Sequence, residues 1–195
     1  MKLTKIFTAA VAALLMVSCS TGNEWKAGHV IFIGMDGWGA YSVEKSDIPT
    51  IKGMMEEGSW TLHKRSVLPS SSAANWATMF MGAGTELHGY TRWNTQVPDL
   101  PPRVVGEDGM FPNIFALLRD AAPEAEIGHM YEWDGMHYVV DTCALSVDLH
   151  SVGPNGVTLK DHACQYIKEK KPQLAVFAFS NPDDIGHQIG HATPE

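Results

Sequence analysis

The sequence predicts an α/β fold, a mostly parallel sheet with helices on both faces. Two apolar runs without polar alternation, "HVIFIGM" and "QLAVFAFS", read as strands buried on both faces. Strand-like and helix-like segments alternate along the chain, the pattern of βαβ units. Three strand-like segments also end on chemically capable side chains: Asp36, the serines Ser70 to Ser72, and Asp183 with His187. Open α/β sheets bind ligands just beyond that end of their strands.

Residues 1–18 are expected to be a signal peptide, with Lys2 and Lys5 ahead of an apolar run from Ile6 to Val17 that is too short to span a membrane. Cys19 directly follows Met16-Val17-Ser18, which suggests a bacterial lipoprotein whose cysteine carries the lipid anchor. An ordinary signal peptide with an incidental cysteine is the alternative. Residues 19–28 then form a small, polar tether. The expected location is exported, periplasmic or on the outer membrane or cell surface.

The remainder, 29–195, is one domain in size. His29 to Met35 forms the first strand. "IPTIKGMMEEGS" has apolar residues at helical spacing and stops at Gly58. "WTLHKRSVLP" reads as a second strand, and a helix over Ala73–Met81 follows, with Gly82 and Gly84 behind it. Residues 91–110 are rich in proline and turn formers and have no period, so they form a long surface loop. "FPNIFALLRDAAPEAE" is a helix with Pro112 in its first turn. "IGHMYEW" is a strand, Thr158 to Lys170 an amphipathic helix, and "QLAVFAFS" the last strand, leading into "NPDDIGHQIGH".

Removing residues 1–18 takes two lysines and no acid, so the net charge moves from −8 to −10. An acidic chain without a basic cluster argues against nucleic acid as a partner. A hydrophobic content of 45% is ample for a packed core. Cys143 and Cys164 remain after Cys19, and either a disulfide or two free thiols fits their sequence positions.

Asp183 and His187 are four residues apart, so on a helix they share a face and could grip one metal ion. Carboxylate and imidazole together suit zinc. Asp184 is a geometric rival, although a first-turn acid in solvent is its commoner role. Gly186 in a helical turn costs about 1 kcal/mol relative to alanine, which a close neighbour would explain. Asp36 is either a turn cap or a metal ligand. Ser72, directly before the helix, is the natural N-cap, and the same place favours a bound phosphate or oxyanion. A serine hydroxyl needs a base or a metal to become a nucleophile. No Gly-x-Ser-x-Gly elbow is present, so metal activation is the consistent route.

These residues resemble the type I phosphodiesterase/nucleotide pyrophosphatase family of the alkaline phosphatase superfamily. The matching features are Asp36-Gly37, Ser72 with Asn75, Gly82 to His88-Gly89, and Pro182-Asp183 to Gly186-His187, in order. The resemblance implies an alkaline-phosphatase-like core and a two-zinc site. Asp36 would bind one zinc with the Ser72 oxygen, Asp183 and His187 would bind the other, and Asn75 would help hold a phosphoryl oxygen. It implies a small phosphoester as substrate and a covalent phosphoserine on Ser72. The family has Thr, Phe and Pro where this chain has Ser72, Ala73 and Ala74, so Ser70 and Ser71 are register rivals. It also supplies a further Asp-His pair and a final histidine that have no counterpart before Glu195, so 29–195 is expected to be the N-terminal portion of a single catalytic domain, truncated at its C-terminus. Phosphomonoesterase, phosphonate hydrolase, sulfatase and non-catalytic surface lipoprotein are the competing readings.

Overall fold

The computed structural model describes residues 27–107 and 109–191; the expected signal peptide, Cys19 and the tether up to residue 26 lie outside the described residues. Four strands form one all-parallel sheet: β1 (Val30–Met35), β2 (Ile127–Tyr131), β3 (Val147–His150) and β4 (Leu174–Phe179), in the order β1-β4-β2-β3. The helices are α1 (Ala40–Val43), α2 (Pro49–Glu57), α3 (Ser72–Met81), α4 (Thr85–His88), α5 (Ile114–Ala121), α6 (Val157–Lys170) and α7 (Asn181–Ile189). Among the described residues no helix is long and apolar enough to cross a membrane.

The two-residue period of β4 sorts its side chains into two layers. Leu174, Val176 and Ala178 join the larger core with Ala73, Trp76, Ala77 and Phe80 of α3 and Phe115 of α5. Ala175 and Phe177 point the other way, onto Leu159, Ala163 and Tyr166 of α6. Each buried large side chain contributes about 1.5–3 kcal/mol, so this sandwich of helix, sheet and helix supplies most of the driving force. Phe80 is its pivot, with Phe32, Trp76, Phe115 and the His129 ring around it at centroid distances of 5.2–6.1 Å.

Several expectations need correction. The first strand is not buried on both faces. It is paired only to β4, α6 covers the central strands rather than β1, and Ile33 is 61% exposed. The expected strand "WTLHKRSVLP" is an irregular segment. Its backbone groups go to side chains instead of a ladder: Val67 N–H donates to Asn75 Oδ1 (3.1 Å), and the Leu68 carbonyl accepts from Thr85 Oγ1 (3.0 Å). Strand β3 is an addition to the expected elements. Helix α5 stops at Ala121, two residues ahead of Pro123, and its N-cap is Asn113, whose Oδ1 accepts from Phe115 N–H (3.0 Å) and Ala116 N–H (3.1 Å). Pro112 therefore precedes the cap instead of lying in the first turn. Cys143 and Cys164 are both free and exposed.

The long loop over 91–110 lacks helix and strand, as expected, but it has an internal anchor. The Asp99 carboxylate accepts from the backbone N–H groups of Thr91 and Arg92 (both 3.0 Å), from Thr91 Oγ1 (2.9 Å) and from Arg92 Nε (2.6 Å).

Candidate active site

Strand β1 ends at Met35, and Asp36 comes directly after, its N–H donating to the Phe179 carbonyl (2.9 Å) at the end of β4. Strand β4 runs in turn into Ser180 and α7, which carries Asp183 in its first turn. Adjacent parallel strands thus deliver Asp36 and Asp183 to one rim. Gly37 makes the approach possible. It sits at φ +70°, and a Cβ there would stand 2.5 Å from the Asp183 Cα, a space that only glycine leaves open.

Helix α3 brings the serines to the same place. Asp36, Ser70, Ser71, Ser72, Asn75 and Asp183 line one open cleft with a volume of about 770 Å³. Members of all three features singled out at strand ends therefore converge, Asp36, the serines and Asp183. The N-cap of α3 is Ser71, not Ser72, which is the first helical residue. Ser71 makes no capping bond, and its Oγ is buried without a partner among the described residues. Asn75 is held in place by two contacts: its Nδ2 donates to the Ser71 carbonyl (2.9 Å), and its Oδ1 accepts from Val67 N–H. The helix start is thereby clamped to the segment leading into it.

His187 is the outlying member. Its Nε2 lies 3.3 Å from Asp183 Oδ2, so the four-residue spacing does place the two groups together, but the imidazole is largely exposed. Gly186 has the close neighbour that its cost demanded, the His191 ring lying where a Cβ would go. Asp184 is an exposed first-turn acid.

Electrostatics mark Asp36. Burial pushes its carboxyl up, Asp183 adds like-charge repulsion, the Gly37 N–H and the Trp76 side chain pull it down, and Asp184 pushes it up again. A cation between Asp36 and Asp183 would relieve that repulsion, and carboxylate and imidazole donors suit zinc. The donor types fit the metal. Among the described residues no group of three or more His, Cys, Asp or Glu side chains gathers closely enough to complete a coordination sphere.

Three other histidines have partners away from this cleft. His88 is buried, with Nε2 2.9 Å from Thr78 Oγ1 and Nδ1 accepting from Tyr90 N–H (3.1 Å). His137 lies on a short 3₁₀ turn and donates to Asp148 Oδ2 (2.6 Å), and His162 of α6 faces Ser151 Oγ (2.9 Å). Two lining residues have no part in the sequence reading. Trp76, one turn inside α3, holds the Asp36 carboxyl down, and Lys64 comes from the irregular segment before it. The tryptophan lies next to Asn75 in sequence, but only the fold shows that it lines the cleft beside Asp36.

The chain is 18% identical to murine ectonucleotide pyrophosphatase / phosphodiesterase 5, solved as an inactive threonine-to-alanine variant in complex with AMP, with a TM-score of 0.66 over 86% of this chain and 47% of that one. The human protein of the same name gives 17% identity and a TM-score of 0.64, over 85% of this chain and 46% of that one. The chain therefore spans about half the length of the solved structures it matches. No curated protein matches it. Residues 30–115, which hold Asp36, Ser72 and Asn75, match the profile of the type I phosphodiesterase / nucleotide pyrophosphatase family. Over those residues the chain is similar to that family, and it shares the α/β fold of the solved neighbours.

Proposed function

We propose that the protein is a zinc-dependent hydrolase of phosphoric esters that works through a covalent phosphoserine on Ser72. One observation carries the reading. Asp36, Ser72, Asn75 and Asp183, from three separate parts of the chain, line a single cleft at the carboxyl end of a parallel sheet. AMP bound to a variant of the murine neighbour supports a nucleotide or another small phosphoester as substrate.

Asp36, Ser72, Asp183 and His187 are the residues that would hold two zinc ions. Bound zinc would depress the pKa of the Ser72 hydroxyl and neutralise charge on the transferring phosphoryl group. The chain's own contribution starts with the free amide groups and positive dipole end of α3, which draw a phosphoryl group to Ser72. Asn75 keeps one Nδ2 hydrogen beyond its bond to Ser71, and that hydrogen is available to a phosphoryl oxygen. Attack by Ser72 forms the Oγ–P bond as the P–O bond to the leaving alcohol breaks, and the hydroxyl proton passes to water. Attack of water on that phosphorus then breaks the Oγ–P bond, restores the hydroxyl and releases a phosphomonoester from a diester substrate, or phosphate from a monoester.

In the full-length, zinc-supplemented protein, Ser72→Ala is expected to keep the fold and abolish both aryl phosphodiester turnover and the trapped phosphoenzyme. Label trapped on Ser70 or Ser71, or turnover unaffected by a zinc chelator, would overturn the reading. We also propose an exported lipoprotein anchored through Cys19. Detergent-dependent release of the wild type, lost in Cys19→Ala, tests it.

A further inference from the structure

The corner between β4 and α7 is a single peptide unit whose two polar groups are bonded to different parts of the chain. The Phe179 carbonyl accepts from Asp36 N–H (2.9 Å), and the Ser180 N–H donates to Glu132 Oε2 (2.9 Å). A trans peptide is planar, with C=O and N–H on opposite edges, so holding both edges fixes the plane. Glu132 directly follows Tyr131, the last residue of β2. A parallel ladder carried one step further would take the Ser180 N–H to the Glu132 main-chain carbonyl. That carbonyl instead accepts from His150 Nε2 (2.7 Å), while the Glu132 N–H donates to the Ala178 carbonyl (3.2 Å). The Glu132 side chain takes over the bond that the ladder gives up. Ser180, the N-cap of α7, makes no side-chain capping bond of its own. A carboxylate at this end of a helix also complements its dipole. Glu132 does not line the cleft, so it acts through the backbone and touches no reacting group.

We propose that Glu132 is a positioning residue: by holding the Phe179–Ser180 peptide in the plane that bonds to Asp36, it sets the start of α7, and with it Asp183, opposite Asp36. Gly37 leaves room for that approach, and Glu132 holds it in place. The inference rests on the hydrolase reading for the role of Asp183, whereas the anchor itself is measurable without zinc.

The test uses the full-length protein and two measurements. Without zinc, amide hydrogen exchange over residues 180–187 is expected to accelerate by about ten- to a hundredfold in Glu132→Ala, the effect of losing one hydrogen bond to a charged group. Exchange over residues 174–179 should stay as in the wild type. Zinc affinity, from chelator competition, should fall by about ten- to a hundredfold, as when a group that orients a metal ligand is removed. Glu132→Gln keeps an oxygen acceptor at the same reach and should restore most of both. If Glu132→Ala does not fold, Glu132→Asp carries the test, because its carboxylate is one methylene short of the Ser180 N–H; it should shift both readouts in the same direction. Unchanged exchange over 180–187 overturns the anchor. Faster exchange spread equally over β2, β4 and α7, with zinc affinity unchanged, makes Glu132 a general stabiliser and overturns the positioning role. A wild type that binds no zinc overturns the hydrolase reading instead, and acceleration confined to 180–187 then still supports the anchor.

Discussion

Gly37 is the position at which the backbone decides the site, and replacing it with alanine gives a calculable result. At φ +70° a side chain is in the left-handed region, which costs an L-residue roughly 1–2 kcal/mol. The new Cβ would also stand 2.5 Å from the Asp183 Cα and 2.8 Å from both the Asp183 Cβ and N. Ordinary carbon contacts sit at about 3.5–4.0 Å, so the start of α7 must retreat from β1 by roughly an ångström. Forcing atoms into packed space of this kind costs about 1–3 kcal/mol. The sum, about 2–5 kcal/mol, is a large part of the stability of an ordinary domain. Gly53→Ala is the matched control. Gly53 lies inside α2, no atom stands within 4 Å of the place its new methyl group would take, and alanine there should stabilise by about 1 kcal/mol. Denaturant unfolding of both variants measures the difference. A Gly37→Ala protein within about 0.5 kcal/mol of wild type would refute the argument, because that is the range of a featureless surface substitution.

Phe80→Ala should cost about 3–5 kcal/mol in the same unfolding assay, since the ring is buried among four other rings in the larger core; a loss below about 1 kcal/mol would mean that the core collapses around the gap. Burial alone would raise the Asp99 carboxyl, but hydrogen bonds from Arg92 and Thr91 hold it at about 2, below its ordinary 3.8. A depressed acid stabilises the fold above its unfolded pKa, so this contribution to the 91–110 loop is present above about pH 4 and is lost as pH falls towards 2. Proteolysis of the loop across that window should accelerate in the wild type and stay flat in Asp99→Asn, whose loop is already loosened. Ile33→Lys should reduce self-association of the 195-residue chain in light scattering, because it puts a charge on the open apolar face of an edge strand. Unchanged scattering would locate the association elsewhere.

The α/β class was legible because it rests on signals the chain carries locally. β2, β4 and α6 have the composition and periodicity of their observed states, and α2 ends at the glycine expected to stop it. What was not legible depended on neighbours. An apolar run says that a strand can be covered, not that a helix reaches it, and α6 reaches β4 but not β1. Residues 60–69 have strand-like composition, yet they find side-chain partners in Asn75 and Thr85 from the helices that follow. In β3 only four residues alternate, Val147 and Leu149 against Asp148 and His150, too short a run to stand out from loop.

The site divides along the same line. Residue identity and spacing were sufficient to put Asp36, Ser72, Asn75 and Asp183 on one cleft, because each lies at the end of a strand or the start of a helix, where the backbone fixes a side chain's position within a narrow range. The helix start could be misplaced by one residue, Ser71 for Ser72, without moving the serines out of the cleft. Lys64 has no such anchor. It reaches the cleft from irregular backbone, and nothing in "TLHKRS" marks it as a residue that lines a cleft. Electrostatics at the cleft thus emerges from the fold rather than from any one segment. The Asp36–Asp183 repulsion likewise exists only because Gly37 lets two distant pieces of chain come within van der Waals reach.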